Sequence, residues 1–277
     1  MTFRVVSWNV LAAPWALPQW YPKQMDARLL DRVDRRELVA AALRGLQPDV
    51  CCLQEVTPPD LDVMLTAFDR PESHFVSHGQ ELWANWGSAE VPWEPNGTAV
   101  IWNADRFDVI ARSHVELGPH GNFAAVVDLR DGSLDRTQRV VSVHLDSDDA
   151  DRRRSEIPRL LAACADPPVV VIAGDYNEDT VTSGSDRPRI GDAFFEAGFG
   201  DVFEVLTRRA PTHPYARPGD GWEPLATIDH VLARGLTPHD ASVVDAGLWS
   251  IETPEARMEE CLRRTGSDHL ALVVDVG

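Results

Sequence analysis

Hydrophobic and polar positions alternate over residues 3–10 (FRVVSWNV), as they do in a strand. Residues 11–33 break the alternation and scatter Trp and Pro through an irregular stretch. A helix is expected next. Asp34, with Glu37 three positions on, reads as a capping box, and Leu38, Ala42, Leu43 and Leu46 follow at helical spacing until Pro48 stops them. Residues 49–56 (DVCCLQEV) read as a buried strand. Thr57-Pro58 opens a second helix with Pro at its first position and Leu61, Met64, Leu65 and Phe68 on its apolar face.

The stretch 77–97, with Trp83, Trp86 and Trp93, reads as a long loop. Strand patterns return at 98–103, 107–115, 123–130 and 139–145. Residues 150–165 look helical, kinked or delayed by Pro158, and 169–174 form a buried strand running straight into Asp175. A short helix near 191–197 and late strands at 227–234 and 269–276 complete the pattern. There is no internal repeat and no linker. Strands outnumber helices, and the two alternate irregularly. That predicts one domain over residues 1–277 of the α/β (α+β) class: a four-layer αββα sandwich of two mixed β-sheets flanked by helices.

Composition narrows the picture. A 44% hydrophobic content supports a substantial core and argues against disorder. With 44 acidic against 26 basic residues, the net charge of -18 repels polyanions, so a nuclease that grips long duplex DNA through many phosphates is a poor fit. A short oligonucleotide or a small phosphate ester remains compatible. Cys51, Cys52, Cys164 and Cys261 lack any CxxC spacing and are expected as buried thiols of a reducing compartment. The first residues lack a secretory pattern, and no apolar run approaches membrane-spanning length. A soluble, cytoplasmic, monomeric protein without membrane contact is the expectation.

Polar residues interrupt the apolar runs at the predicted strand ends: Asn9, Glu55, His144, Asp175, Asn177, Asp229, Asp268 and His269. Strand ends hold side chains rigidly and suit a site. Singly, each has a plain structural reading, such as a turn cap, a solvated strand-end charge or a satisfied histidine. Together they lie in SWNVL (7–11), LQEV (53–56), GTAV (97–100), SVHLDS (142–147), GDYNED (174–179), TIDHV (227–231) and SDHL (267–270). The order and spacing of these segments resemble the endonuclease/exonuclease/phosphatase superfamily over nearly the whole chain. WNVLA, RRELVAAALRGLQPDVCCLQEV and GTAVIWNADRF look most like its nocturnin and deadenylase branch. The chain departs from that branch in carrying His230 where Tyr usually follows Ile-Asp, in lacking a leucine-rich repeat module, and in its acidity.

The resemblance implies a magnesium-dependent phosphoesterase, with manganese as the alternative ion. Hard oxygen ligands suit magnesium, which takes few protein groups and keeps several waters. Glu55 is the leading metal ligand, joined by Asn9 and by Asp268 directly or through water. Asp175 is implied to align or deprotonate the attacking water, and Asn177, on the same side of an extended segment, to donate to the phosphate. Asp229 would hold His269 as an imidazolium that stabilises phosphoryl charge, and His144 would donate to another phosphate oxygen.

Other positions carry two readings each. Arg153, in the run Arg152-Arg153-Arg154, could fork onto a substrate phosphate or belong to a solvated helix face balancing nearby aspartates. Trp83 and Trp86 could stack on a base or pack a loop onto the sandwich. His230 is expected on the face of its strand opposite Asp229, and His213 in a turn flanked by prolines; neither is given a catalytic role. The expected substrate is a nucleotide or short single-stranded oligonucleotide. The alternatives are another small metabolite, a lipid headgroup, or a non-catalytic binding module of the same fold.

Overall fold

Strand β1 (Phe3–Asn9) sends Phe3 and Val5 to one side and Val6 and Trp8 to the other, and both sides are buried. A strand covered on both faces has to lie inside a layered molecule. The computed structural model shows those layers, and describes every residue except 1, 22, 24, 81–92, 120, 134–135, 181–188, 215, 218–220 and 223–224. One six-stranded sheet runs β13 (Pro238–Val243), β14 (Leu272–Val276), β1, β2 (Val50–Val56), β4 (Gly97–Asn103), β3 (Pro71–Ser77). The other runs β5 (Phe107–Glu116), β6 (Phe123–Asp131), β7 (Arg136–His144), β8 (Val170–Asp175), β12 (Asp229–Arg234), β9 (Gly200–Asp201). Two short strands, β10 (Ala216–Arg217) and β11 (Gly221–Trp222), pair apart from both.

The sheets face each other across one apolar layer, to which Val5, Val50, Val100 and Trp102 contribute from the first and Val127, Val140, Val171 and Val231 from the second. Outside the first sheet, α1 (Arg32–Leu46) and α2 (Pro58–Leu65) lay Val39, Leu43, Leu61 and Met64 over Val6, Trp8, Cys51 and Leu53. Outside the second, the helix Ala150–Ala163 lays Ile157 and Leu160 over Val141 and Ile172. The four-layer αββα sandwich of two mixed sheets is therefore the observed architecture. All four cysteines are free and buried.

Each sheet contains a parallel pair joined by a helical crossover: β1 with β2 through α1, and β7 with β8 through Ala150–Ala163. Asn9, the last residue of β1, bonds Asp175, the last residue of β8, so both pairs end at the same edge of the sandwich. β14 runs antiparallel to β1, and β12 antiparallel to β8, so the beginnings of these late strands reach that edge too. Gly174 permits the close approach of β8 to β7, since a Cβ there would sit 1.9 Å from the Val143 carbonyl oxygen.

Several elements differ from expectation. α1 starts at Arg32 with Asp31 as its cap, whose carboxylate accepts from the Val33 and Asp34 amides, so the Asp34–Glu37 capping box does not form. A short 3-10 turn over Ala27–Leu30 delivers Asp31 in extended conformation, and the helix begins there. Pro158 lies inside its helix without delaying it. β3, β13 and the helix Pro254–Thr265 are additional elements. The two strands lie at the sheet's edges and are largely part-exposed, so no apolar run marks them. The helix buries only Met258, Cys261, Leu262 and Thr265 beneath a charged surface. His269 falls in the turn before β14, not within a strand.

Candidate active site

Where β1, β2, β7 and β8 end, the two sheets are tied by polar contacts. Gln54 Nε2 donates to Ser142 Oγ at 3.0 Å, and Ser142 Oγ donates to the Leu53 carbonyl at 2.8 Å. One residue along, Asn9 Nδ2 donates to Glu55 Oε1 and to Asp175 Oδ2, both at 3.0 Å, bracketing a carboxylate from each sheet. The Asn9 side-chain oxygen Oδ1 accepts from the Leu11 amide at 3.1 Å. Glu55 lies within a register shift between Leu53 and Val56, with φ at 52°, a left-handed conformation that costs a non-glycine residue on the order of 1 kcal/mol. That conformation leaves its second oxygen 3.3 Å from the Ala12 amide, which donates to it. Such strain concentrates where the surrounding structure over-determines a functional group. Burial raises the Glu55 pKa, against the opposing pull of His144.

Asp175 lies between two imidazoles. Its Oδ2 is 3.6 Å from His144 Nε2 and 3.7 Å from His269 Nε2. Burial alone would raise its pKa, but His269, His144, Asn9 and the Asn177 amide together hold it below the ordinary value, so it stays a carboxylate. His269 Nδ1 is 2.9 Å from Asp229 Oδ2. Burial disfavours the imidazolium, yet the charges of Asp229 and Asp175 push the His269 pKa up to about 10. The ring is fixed on its backbone side as well: Trp8 Nε1 donates to the His269 carbonyl at 2.9 Å, and the His269 amide donates to Ser267 Oγ at 3.1 Å.

Asp268 stands on the other side of His269. Tyr21 donates its hydroxyl to Asp268 Oδ2 at 2.9 Å, and His213 Nε2 is 3.7 Å from the same oxygen. The His213 and His269 rings lie 4.3 Å apart. Asp268 is held below the ordinary carboxylate range despite burial, through His213, His269 and Tyr21. Two compact sets of ligand-type atoms share His269 among the described residues: His213, Asp268 and His269, and Asp175, Asp229 and His269. Glu55 belongs to neither set. Among the described residues, Glu55, Asp175, Asp229 and Asp268 form no ion pair with Lys or Arg. Asp268 Oδ1 is buried with no hydrogen-bond partner. Hard oxygens with excess negative charge and an orphaned carboxylate oxygen fit a divalent cation.

The remaining expected residues are placed as follows. Asn177, left-handed at φ 51°, turns its Nδ2 to the Leu145 carbonyl at 3.0 Å, so one of its two amide hydrogens is committed within the protein. Arg153 is buried, and its guanidinium is engaged by Glu178 at 3.1 Å and by the Asp146 carbonyl at 2.8 Å. Arg154 holds the other Glu178 oxygen at 2.8 Å. These two arginines clamp the turn that carries Asn177. Trp83 and Trp86 lie outside the described residues; Trp93 is 36% exposed. The structure thus brings together Asn9, Glu55, His144, Asp175, Asp229, Asp268 and His269. It adds Tyr21, His213 and Thr212, the last through its hydroxyl, which accepts from the Asp229 amide at 3.2 Å; sequence reasoning did not single these out for the site. For the last two, the visible signal is the Pro-Thr-His-Pro stretch at 211–214; Tyr21 sits in a stretch without periodicity.

The sequence profile of the endonuclease/exonuclease/phosphatase family matches residues 6–269. No curated protein matches the chain significantly. Solved structures resemble it at low identity. ANGEL2, a 2',3'-cyclic phosphatase, is 15% identical with a TM-score of 0.70 over 100% of this chain and 95% of that one. The human Nocturnin catalytic domain with bound sulfate is 19% identical with a TM-score of 0.65 over 100% and 93%. A mannosyl-6-phosphatase of Bacteroides thetaiotaomicron is 15% identical with a TM-score of 0.67 over 99% of each chain. At these identities the likeness is one of fold.

Proposed function

The chain belongs to the endonuclease/exonuclease/phosphatase family, whose members hydrolyse phosphate esters, and on that premise we propose that it is a magnesium-dependent phosphoesterase acting on a nucleotide or a short single-stranded oligonucleotide. The observation that carries the reading is Asp175: a buried carboxylate kept ionised between two imidazoles, bracketed to Glu55 by Asn9.

Glu55, Asp268 and the Asn9 side-chain oxygen Oδ1 are the groups that would hold a divalent ion. When bound, the ion supplies Lewis-acid polarisation of a phosphoryl oxygen and stabilises the leaving oxygen. The protein's own residues do the rest. Asp175 Oδ2 orients the attacking water and takes its proton as the new P–O bond forms and the ester P–O bond breaks. The His269 imidazolium, fixed by Asp229, neutralises charge gathering on the phosphoryl oxygens, and His144 donates to another of them. The uncommitted amide hydrogen of Asn177 donates to the phosphate. Arg153 acts indirectly, holding the Asn177 turn through Glu178. The net charge of -18 supports a short or small substrate over long duplex DNA.

The test is a hydrolysis panel with magnesium: single-stranded RNA and DNA, dinucleotides, nucleoside phosphates, sugar and inositol phosphates, and sphingomyelin. Wild type is expected to cleave a nucleotide class, to stop with chelator while remaining folded, and to lose at least about a thousandfold in kcat as Asp175→Asn. An Asp175→Asn variant with full turnover overturns the role of Asp175. Cleavage confined to sugar phosphates or sphingomyelin overturns the substrate class.

A further inference from the structure

Beside Asp229 lies a cavity of about 10 Å³ lined by Asp229, Thr212, Thr227, Asp201 and His230 among others. Two polar requirements meet there. Asp229 commits Oδ2 to His269, while its Oδ1 is buried and accepts no hydrogen bond from the protein. Thr212 is 1% exposed, and its Oγ1 accepts from the Ile228 and Asp229 amides, both at 3.2 Å. A hydroxyl that accepts twice still carries a proton to donate. No direct bond joins it to the carboxylate, and one water that accepts from Thr212 and donates to Asp229 Oδ1 answers both groups. The cavity has room for about one water centre.

Thr212 also holds the other member of the pair. Its carbonyl accepts from the Leu270 amide at 2.8 Å, next to His269, while its own amide is tied to the Ala226 carbonyl at 2.8 Å. One residue therefore fixes the backbone of Asp229 and the backbone beside His269. We infer that a single buried water lies between Thr212 and Asp229 Oδ1, and that Thr212 is a positioning residue that sets the Asp229 carboxylate against His269. The positioning role rests on the proposed hydrolysis; the water site does not.

The experiment uses the full chain with magnesium as wild type, Thr212→Ser and Thr212→Val. Crystal structures at a resolution that shows ordered water are expected to place one water between Thr212 and Asp229 in wild type and Thr212→Ser, and none in Thr212→Val. The low-field imidazole Nδ1 proton of His269 is expected in the first two and displaced in the third. With bis(4-nitrophenyl) phosphate as probe, Thr212→Val should lose about tenfold in kcat at unchanged KM, and Thr212→Ser should recover it. A dry cavity in wild type overturns the water site, even where Thr212→Val fails to fold. An unmoved Nδ1 proton, or wild-type kcat in Thr212→Val, overturns the positioning role. If wild type itself leaves the probe ester intact, hydrolysis of that ester fails while density and the Nδ1 proton still decide this inference.

Discussion

Asp229 and His230 are neighbours on β12, and each belongs to an aspartate–histidine pair of the same length. His269 Nδ1 is 2.9 Å from Asp229, and His230 Nδ1 is 2.9 Å from Asp201. The pairs differ at the second nitrogen. His269 Nε2 looks across to Asp175 at 3.7 Å, on the edge where the sheets bring their polar ends together. His230 Nε2 is closed off by the Glu178 carbonyl at 3.2 Å, its ring lies edge-to-face with Tyr176, and Thr180 donates to Asp201 as well. An aspartate–histidine contact is therefore no sign of chemistry by itself. What the free side of the ring faces separates a pair that can act from one that ties β12 to its surroundings.

Removing the carboxylate from each pair tests that separation. Asp229→Asn keeps shape but leaves the imidazolium without its orienting charge, and kcat is expected to fall by about 10³–10⁴ with the fold retained. Steady-state kinetics alongside thermal melts check this. Asp201→Asn keeps an Oδ1 that can still cap the Phe203 and Glu204 amides but replaces the carboxylate oxygen facing His230 and Thr180 by an amide, so about 1–3 kcal/mol of stability should go while kcat per folded molecule stays within a few-fold. Denaturant unfolding with active-site titration measures both. If Asp201→Asn depressed kcat as deeply as Asp229→Asn at unchanged stability, the two pairs would not be separate in function.

The same comparison marks how far the sequence could be read. Asp229 and His230 stand out as polar residues entering an apolar strand, and period-two alternation assigns them opposite faces, as found. Asn9, Glu55, His144 and Asp175 were legible for the same reason, because each ends an apolar run. Pairing partners were not legible. Asp201 lies in a two-residue edge strand with no pattern around it, and its bond to His230 spans 29 positions. Tyr21 reaches Asp268 across 247 positions from an irregular stretch. Thr212 sits in a segment without periodicity, and its value lies in contacts to the Ile228, Asp229 and Leu270 amides that exist only once the start of β12 in one sheet and the approach to β14 in the other have come together. Edge strands β3 and β13 escaped because solvent on one side removes the apolar signal. Fold class follows from strands buried on both faces; the lining of the site depends on loops, whose contacts are long-range.

The pH response sharpens the comparison with the smallest change. Asp229 and Asp175 hold the His269 pKa up to about 10 against burial, from an ordinary value of 6.5. A raised folded-state value means the contribution of the imidazolium to stability is full below about 6.5 and is lost as pH rises through about 10. The activity it supports should follow, giving an alkaline limb rather than a neutral one. Asp229→Asn removes the first of the three carboxylates that raise it, ahead of Asp175 and Asp268, so the limb should move to lower pH; Asp201→Asn, which pairs with His230 instead, should leave it in place. NMR titration of the His269 ring gives the same reading without substrate. A His269 transition that stayed near 10 in Asp229→Asn would mean that Asp175 and Asp268 hold the proton without Asp229, and would transfer the electrostatic role of the pair to them.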